Sequence, residues 1–208
     1  MPAPEGNPES CGREPVFCFT AKIAGVTTDL VARGKTVSSK DVLEAISALA
    51  DKIASRHKAG EHLVLAGIAR GGIPLARLLA AELAARSQIT TTLANVDVSF
   101  HRDDIGRNPI PTEMPPSHFS DDVAGATIIL VDDVLHSGRT VNAALNEIFD
   151  HGRPARVELA VLVDRGGRRL PIHADYTGIT MKVPDDRRVT VRLDEQSPEN
   201  HRVEVAAS

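Results

Sequence analysis

Residues 128 to 140 read Ile-Ile-Leu-Val-Asp-Asp-Val-Leu-His-Ser-Gly-Arg-Thr, and no other stretch limits the fold so tightly. The first four residues are aliphatic without alternation, the pattern of a strand buried on both faces of a parallel sheet. The strand is expected over Thr127 to Val131, delivering Asp132 and Asp133 to its carboxyl edge. A short loop containing Ser137 and Gly138 then opens a helix from about Thr140 to Phe149. In an open α/β sheet, ligands bind in the crevice outside that edge.

The flanking sequence supplies the rest of such a sheet. Aromatic residues make up only 3% of the chain and Trp is absent, so the core must be aliphatic. Ser38 or Ser39 can cap a helix whose apolar stripe runs through Val42, Leu43, Ile46, Leu49, Ala50 and Ile53. Leu63 to Ile68 reads as a strand, Ala69-Arg70-Gly71-Gly72 as a turn, and Pro74 suits the first turn of a helix reaching Leu83. Thr90 to Phe100 reads as a second strand. Arg102 to Ala124, with Pro109, Pro111, Pro115 and Pro116, reads as a long loop of the kind that is usually functional. Gly152 and Pro154 stop the helix after the acidic pair, Arg156 to Val163 makes a fourth strand, and Ala174 to Leu193 one or two more. Strand and helix in alternation predict an α/β fold, a mainly parallel sheet flanked by helices. One domain is expected over residues 36–195, after a disordered extension over 1–35 rich in Pro, Gly, Ser and Glu and before a tail over 196–208.

The chemistry follows from the same thirteen residues. A helix N-terminus and its preceding turn present unpaired backbone N–H groups that suit a phosphate dianion. Val134, Leu135, His136, Ser137, Gly138, Arg139 and Thr140 are the candidate phosphate loop, with hydroxyls at Ser137 and Thr140 and close backbone approach at Gly138. Two carboxylates beside such a pocket would repel phosphate unless they bound something else, and an ionised carboxylate accepts hydrogen bonds from a sugar diol. A diol and a phosphate side by side describe a phosphorylated ribose. The acids could instead only cap a helix, or end a Walker B strand, but no G-x-x-x-x-G-K-[ST] loop accompanies them. Ala69, Arg70 and Gly71 offer backbone donors and one cation after a strand, which is what a diphosphate needs; on its own the segment would be an ordinary glycine turn. Arg102 stands beside Asp103 and Asp104 at the entry to the proline-rich loop, where by itself it can be part of a solvated charge cluster.

Ile128 to Thr140 resembles the phosphoribosyl-diphosphate signature of type I phosphoribosyltransferases. Gly152 to Gly166, Leu170-Pro171-Ile172, Ala174 to Gly178, Arg102-Asp103-Asp104 and Gly67 to Gly71 resemble one branch, the pyrimidine-operon regulator/uracil phosphoribosyltransferases of PyrR type. The resemblance covers about Val37 to Asp194. It implies the type I fold with a mobile lid loop and a small hood, and a reaction in which uracil and 5-phosphoribosyl-1-diphosphate (PRPP) give UMP and diphosphate. It further implies Mg2+ bound with PRPP near Asp132 and Asp133, through the ribose or water; Arg102 as a lid residue; and Arg165 and Val189 near the base. A homodimer or homotetramer, sensing of UMP or UTP, and binding to pyrimidine-operon mRNA are implied as well. Two positions depart from the family pattern: Ala69 stands where a hydroxyl residue is usual, and His136 where many relatives carry an aromatic. A purine or orotate phosphoribosyltransferase, or an RNA-binding regulator with little catalysis, stays open.

Charge and cysteine usage narrow the remaining classes. The net charge of −4 gives no overall attraction to nucleic acid. The expected first helix carries mixed charge, with Lys52, Arg56, His57 and Lys58 only near its end. Cys11 and Cys18 are too few for a disulfide framework or a zinc site. No run approaches the length of a membrane span, and a cytoplasmic protein is expected.

Overall fold

The computed structural model describes residues 18–23, 26–31, 35–98, 117–119 and 123–207. Ten strands and three helices are described: β1 (Cys18–Ile23), β2 (Val26–Val31), β3 (Lys35–Val37), α1 (Ser39–Arg56), β4 (His62–Ile68), α2 (Ala69–Arg86), β5 (Thr90–Val96), β6 (Thr127–Leu135), α3 (Arg139–His151), β7 (Arg156–Asp164), β8 (Tyr176–Met181), β9 (Arg187–Arg192) and β10 (Arg202–Ala207). The main sheet has the order β2-β1-β8-β7-β6-β4-β5. Its five strands from β8 to β5 run parallel, and the β1–β2 hairpin joins β8 antiparallel. A second, antiparallel sheet has the order β3-β10-β9.

Side-chain alternation along the central strands divides the core in two. Leu63 and Leu65 of β4 and Ile129 and Val131 of β6 face α1 and α2, joined there by Val189 and Val203 of the small sheet. Val64, Ala66, Ile128 and Leu130 face the other way, towards Val141, Ala144 and Ile148 of α3. Helices on both faces explain why the strands carry continuous aliphatic runs rather than alternating ones. Ser38 caps α1, its side chain accepting from the Asp41 amide.

Four expectations need correction. Residues 18–23 and 26–31 do not belong to a disordered extension: β1 pairs Ala21, Lys22 and Ile23 with Met181, Thr180 and Ile179, which gives the otherwise open edge of β8 a partner. Nor are residues 202–207 a tail, since β10 pairs along its whole length with β9 and also with β3. Ala69 to Gly72 is the first turn of α2 rather than a separate turn, so Pro74 lies inside the helix and leaves the Arg70 carbonyl without its helical donor. Lastly, β6 continues past Val131 to Leu135, because pairing with β7 holds Asp132 opposite Val161 and Leu135 opposite Asp164. The acidic pair therefore sits within the strand's final turn of pleat.

At the opposite, amino-terminal edge of the sheet, Glu158 is buried and takes a hydrogen bond from the Tyr176 hydroxyl at 2.5 Å. Its other partners are His57 Nε2 at 3.0 Å and Arg156 Nε at 2.8 Å. Burial pushes the Glu158 carboxyl up, but the hydrogen bonds from Tyr176 and His57 outweigh it and hold the group below its ordinary range. A depressed carboxyl stabilises the fold above its unfolded-state value, and that contribution is lost as pH falls through the folded value. Glu158→Ala should therefore cost about 3–5 kcal/mol at neutral pH by stranding its buried partners, and the difference from wild type should shrink on acidification below about pH 4. Urea unfolding at a series of pH values measures both.

Candidate active site

The register of β4, β6 and β7 brings three loops to one edge. Gly67 pairs with Val131 and Leu135 with Asp164, so the segments after β4, β6 and β7 leave the sheet side by side. Asp132 and Asp133 stand between them.

Asp132 is 6% exposed and its carboxylate accepts from the Asp133 amide at 3.0 Å. No cation among the described residues pairs with either acid. Burial, followed by the charge of Asp133, holds the Asp132 carboxyl well above its ordinary range; burial also raises Asp133. Two desolvated carboxyl groups with no counter-charge among the described residues form a site built for something that arrives with a ligand: hydroxyl donors, a hard cation, or both. No cluster of three or more metal-ligating side chains exists among the described residues, so a cation here would complete its shell from ligand oxygens and water.

The loop after β6 is aimed by its carbonyls. The Arg165 amide donates to the Leu135 carbonyl at 3.1 Å, and the Arg169 and Leu170 amides donate to the Ser137 carbonyl at 3.0 and 3.1 Å. In a trans peptide the N–H points opposite the C=O. The His136 and Gly138 amides are therefore turned away from the 165–172 segment, towards the mouth of the site, and no described residue accepts from them. Gly138 holds the turn with φ of +91°, a conformation that disfavours side chains, and α3 begins at the next residue. The first intrahelical bond of α3 runs from Asn142 to the Gly138 carbonyl, so the Thr140 and Val141 amides precede the helical ladder. The result is a cup of amide donors at a helix N-terminus, with the Ser137 hydroxyl partly exposed and accepting from the Arg139 amide.

Across from that loop, α2 begins against the acids. A Cβ on Gly71 would stand 2.3 Å from Asp133 Cγ, and one on Gly72 2.1 Å from the Val131 carbonyl oxygen. Only glycine permits this approach. Ala69 has φ of +46°, a left-handed conformation uncommon for a residue with a Cβ, at the point where the chain turns from β4 into α2. The Arg70 side chain is exposed beside it.

The third segment carries most of the local positive charge. Arg165 is buried, and its guanidinium donates to the Pro184 carbonyl at 2.9 Å. It thus braces the β8–β9 loop rather than offering a free cation. Burial, then the charge of Arg165, holds the His136 imidazole below its ordinary value; Arg169 and Arg168 act in the same direction against Asp185. Val189 is buried in the core beside α1 and α2, so its side chain is not presented to a ligand. Arg102, Asp103, Asp104 and the proline-rich loop lie outside the described residues. Sequence reasoning missed the contact between Gly71 and Asp133 and the bracing role of Arg165; both depend on the parallel register.

Two other features are distinct from this edge. A cavity of about 640 Å³ lined by Arg77, Arg192, Asp194, Glu195, Asn200 and Arg202 has each of its arginines paired with an acid: Arg77 with Glu195 at 2.9 Å, and Arg192 and Arg202 with Glu204 at 4.0 and 2.9 Å. Near the end of α1, Lys52 donates to the Thr177 carbonyl, Arg56 pairs with Asp175 and His57 is buried, so these three make internal contacts. No described helix is long and apolar enough to cross a membrane.

Comparison with known proteins agrees with this geometry. The family model for the phosphoribosyl transferase domain matches residues 38–197. The "Bifunctional protein PyrR" of Roseiflexus sp. (strain RS-1) is 42% identical over 163 residues, covering 76% of this chain and 87% of that protein. The protein of the same name from Deinococcus radiodurans is 41% identical over 162 residues, covering 76% and 87%. Among solved structures, a hypoxanthine-guanine phosphoribosyltransferase from Bacillus anthracis superposes with a TM-score of 0.56 at 21% identity, covering 72% of this chain and 83% of that one. That likeness establishes the type I phosphoribosyltransferase fold, a five-stranded parallel sheet with flanking helices. By its domain, its fold and its kinship with the PyrR proteins, this chain belongs to the phosphoribosyltransferase family and, within it, to the PyrR branch.

Proposed function

We propose that the site joins uracil to the ribose of PRPP, releasing diphosphate and forming UMP. The observation that carries this reading is the juxtaposition of an amide cup, fit for the 5-phosphate, with a desolvated acid pair that has no counter-charge among the described residues, fit for the ribose hydroxyls. The choice of uracil is supported by the sequence resemblance to the PyrR branch.

The residues divide the work as follows. His136 to Thr140 hold the 5-phosphate through main-chain donors. The start of α2, Ala69 to Gly71, would receive the departing diphosphate, with Arg70 to balance its charge. Asp132 and Asp133 take the ribose hydroxyls and would hold Mg2+ through them or through its water shell. Bound Mg2+ would supply charge neutralisation on the departing diphosphate. A base nitrogen attacks the anomeric carbon as the C–O bond to diphosphate breaks, and the proton on that nitrogen leaves to solvent or to the diphosphate. No covalent enzyme intermediate is needed, so rate comes from positioning and from fixed charge. Arg102 is the proposed lid cation.

Purified protein with PRPP and Mg2+ should be given uracil, hypoxanthine, guanine and orotate in turn. Uracil should be preferred by at least about a hundredfold in kcat/KM, since a site that pairs the polar edge of one base leaves groups unpaired with another. Preferential formation of a purine nucleotide or of orotidylate would overturn the uracil assignment and leave the phosphoribosyl site standing.

A further inference from the structure

The structure assigns to Arg168 the role of a positioning residue that aims the central amide of the phosphate cup. This inference rests on the phosphoribosyl reading above and deepens it. Of the three peptide units that turn the chain from β6 into α3, the outer two are oriented by main-chain donors at the Leu135 and Ser137 carbonyls. The middle one has a different partner: Arg168 Nη1 donates to the His136 carbonyl at 2.8 Å. Since C=O and N–H of one trans peptide point in opposite directions, this bond sets where the Ser137 N–H points.

The rest of the guanidinium is fixed with equal care. Nη2 meets the Asp164 carboxylate at 2.6 Å, Nε donates to the Ile172 carbonyl at 3.0 Å, and Nη1 also reaches the Leu135 and Gly166 carbonyls at 3.2 and 3.4 Å. The side chain is 19% exposed and every arm of the fork points into protein. Arg168 therefore lies behind the loop, with no arm free to touch a ligand from the front. Four carbonyls and a carboxylate around one planar cation make a rigid hub, which a flexible point charge such as Lys cannot reproduce. The hub ties the end of β6 to the end of β7 and to the segment before β8, so the cup keeps its shape before any phosphate arrives.

Wild type, Arg168→Gln and Arg168→Lys should be compared by calorimetric titration with ribose 5-phosphate, by steady-state kinetics and by unliganded thermal unfolding. Ribose 5-phosphate should bind at least about tenfold more weakly to Arg168→Gln, and at least about fivefold more weakly to Arg168→Lys despite its retained charge. The KM for PRPP should rise with it, while the KM for the base stays within about twofold, because the phosphate is held alike in ground and transition states. A general loosening of the fold would move both KM values. Should Arg168→Gln unfold, Arg168→Lys decides the matter alone. Wild-type affinity in the Lys variant, or equal rises in both KM values, would overturn the assignment while sparing the phosphoribosyl site. Failure of wild type itself to bind ribose 5-phosphate would remove the underlying reading and this inference with it.

Discussion

Asp132→Asn is expected to lower nucleotide formation from PRPP at least about a hundredfold and, in the unliganded protein, to raise the thermal midpoint by about 2–4 °C. The two effects have one cause. Asp132 is buried, faces the charge of Asp133 and has no cation among the described residues to offset either. Its folded-state pKa lies above the unfolded one, so the folded protein binds its proton more tightly. Stability therefore falls as pH rises from about 4 through the raised value. The amide removes that penalty, and with it the group that ribose hydroxyls and a hard cation would satisfy. Asp133→Ala should lose activity by a similar factor. Differential scanning calorimetry beside an initial-rate assay checks the pair of outcomes. A variant that is more active, or less stable at neutral pH, would show that Asp132 is a structural acid.

Gly71→Ala should be the most damaging single methyl group in the site, costing about a hundredfold in kcat/KM with little loss of fold. Its Cβ would lie 2.3 Å from Asp133 Cγ and 2.4 Å from an Asp133 carboxylate oxygen. Something must give, and the mobile partner is the Asp133 side chain, which is the group the reaction needs in place. Gly72→Ala differs in kind. Its Cβ would meet the main-chain oxygen of Val131 at 2.1 Å in the middle of a paired strand, where neither side can retreat. That variant should lose stability, by about 1–3 kcal/mol or more, as well as activity. Circular dichroism melts and rate measurements on both separate the two behaviours.

Much of this site can be read from the chain because the chemistry is local. The aliphatic run into Asp132 and Asp133, the small residues of the turn and the start of the helix after it lie within thirteen consecutive residues, and the strand–loop–helix arrangement follows from their order. What is not local is less legible. Nothing in Arg-Gly-Gly announces that Gly71 will press on Asp133, since this depends on the pairing of Gly67 with Val131. The resemblance puts Arg165 near the base and assigns nothing to Arg168, yet the first braces the β8–β9 loop and the second the loop after β6. The errors at the two ends share a cause. β1, β2 and β10 lie in polar, Pro- and Glu-rich surroundings, and it is partners distant in sequence that make them strands: Met181 and Thr180 for β1, Val189 and Val191 for β10.

The account comes down to whether the loop after β6 grips a phosphate. A crystal structure with ribose 5-phosphate and Mg2+ bound is the direct test. The phosphate oxygens should lie within hydrogen-bonding distance of the main-chain nitrogens of His136, Ser137, Gly138 and Thr140, with the ribose hydroxyls turned to Asp132 and Asp133. A ligand seated elsewhere, or a phosphate held by side chains while those four nitrogens stay unused, would contradict it.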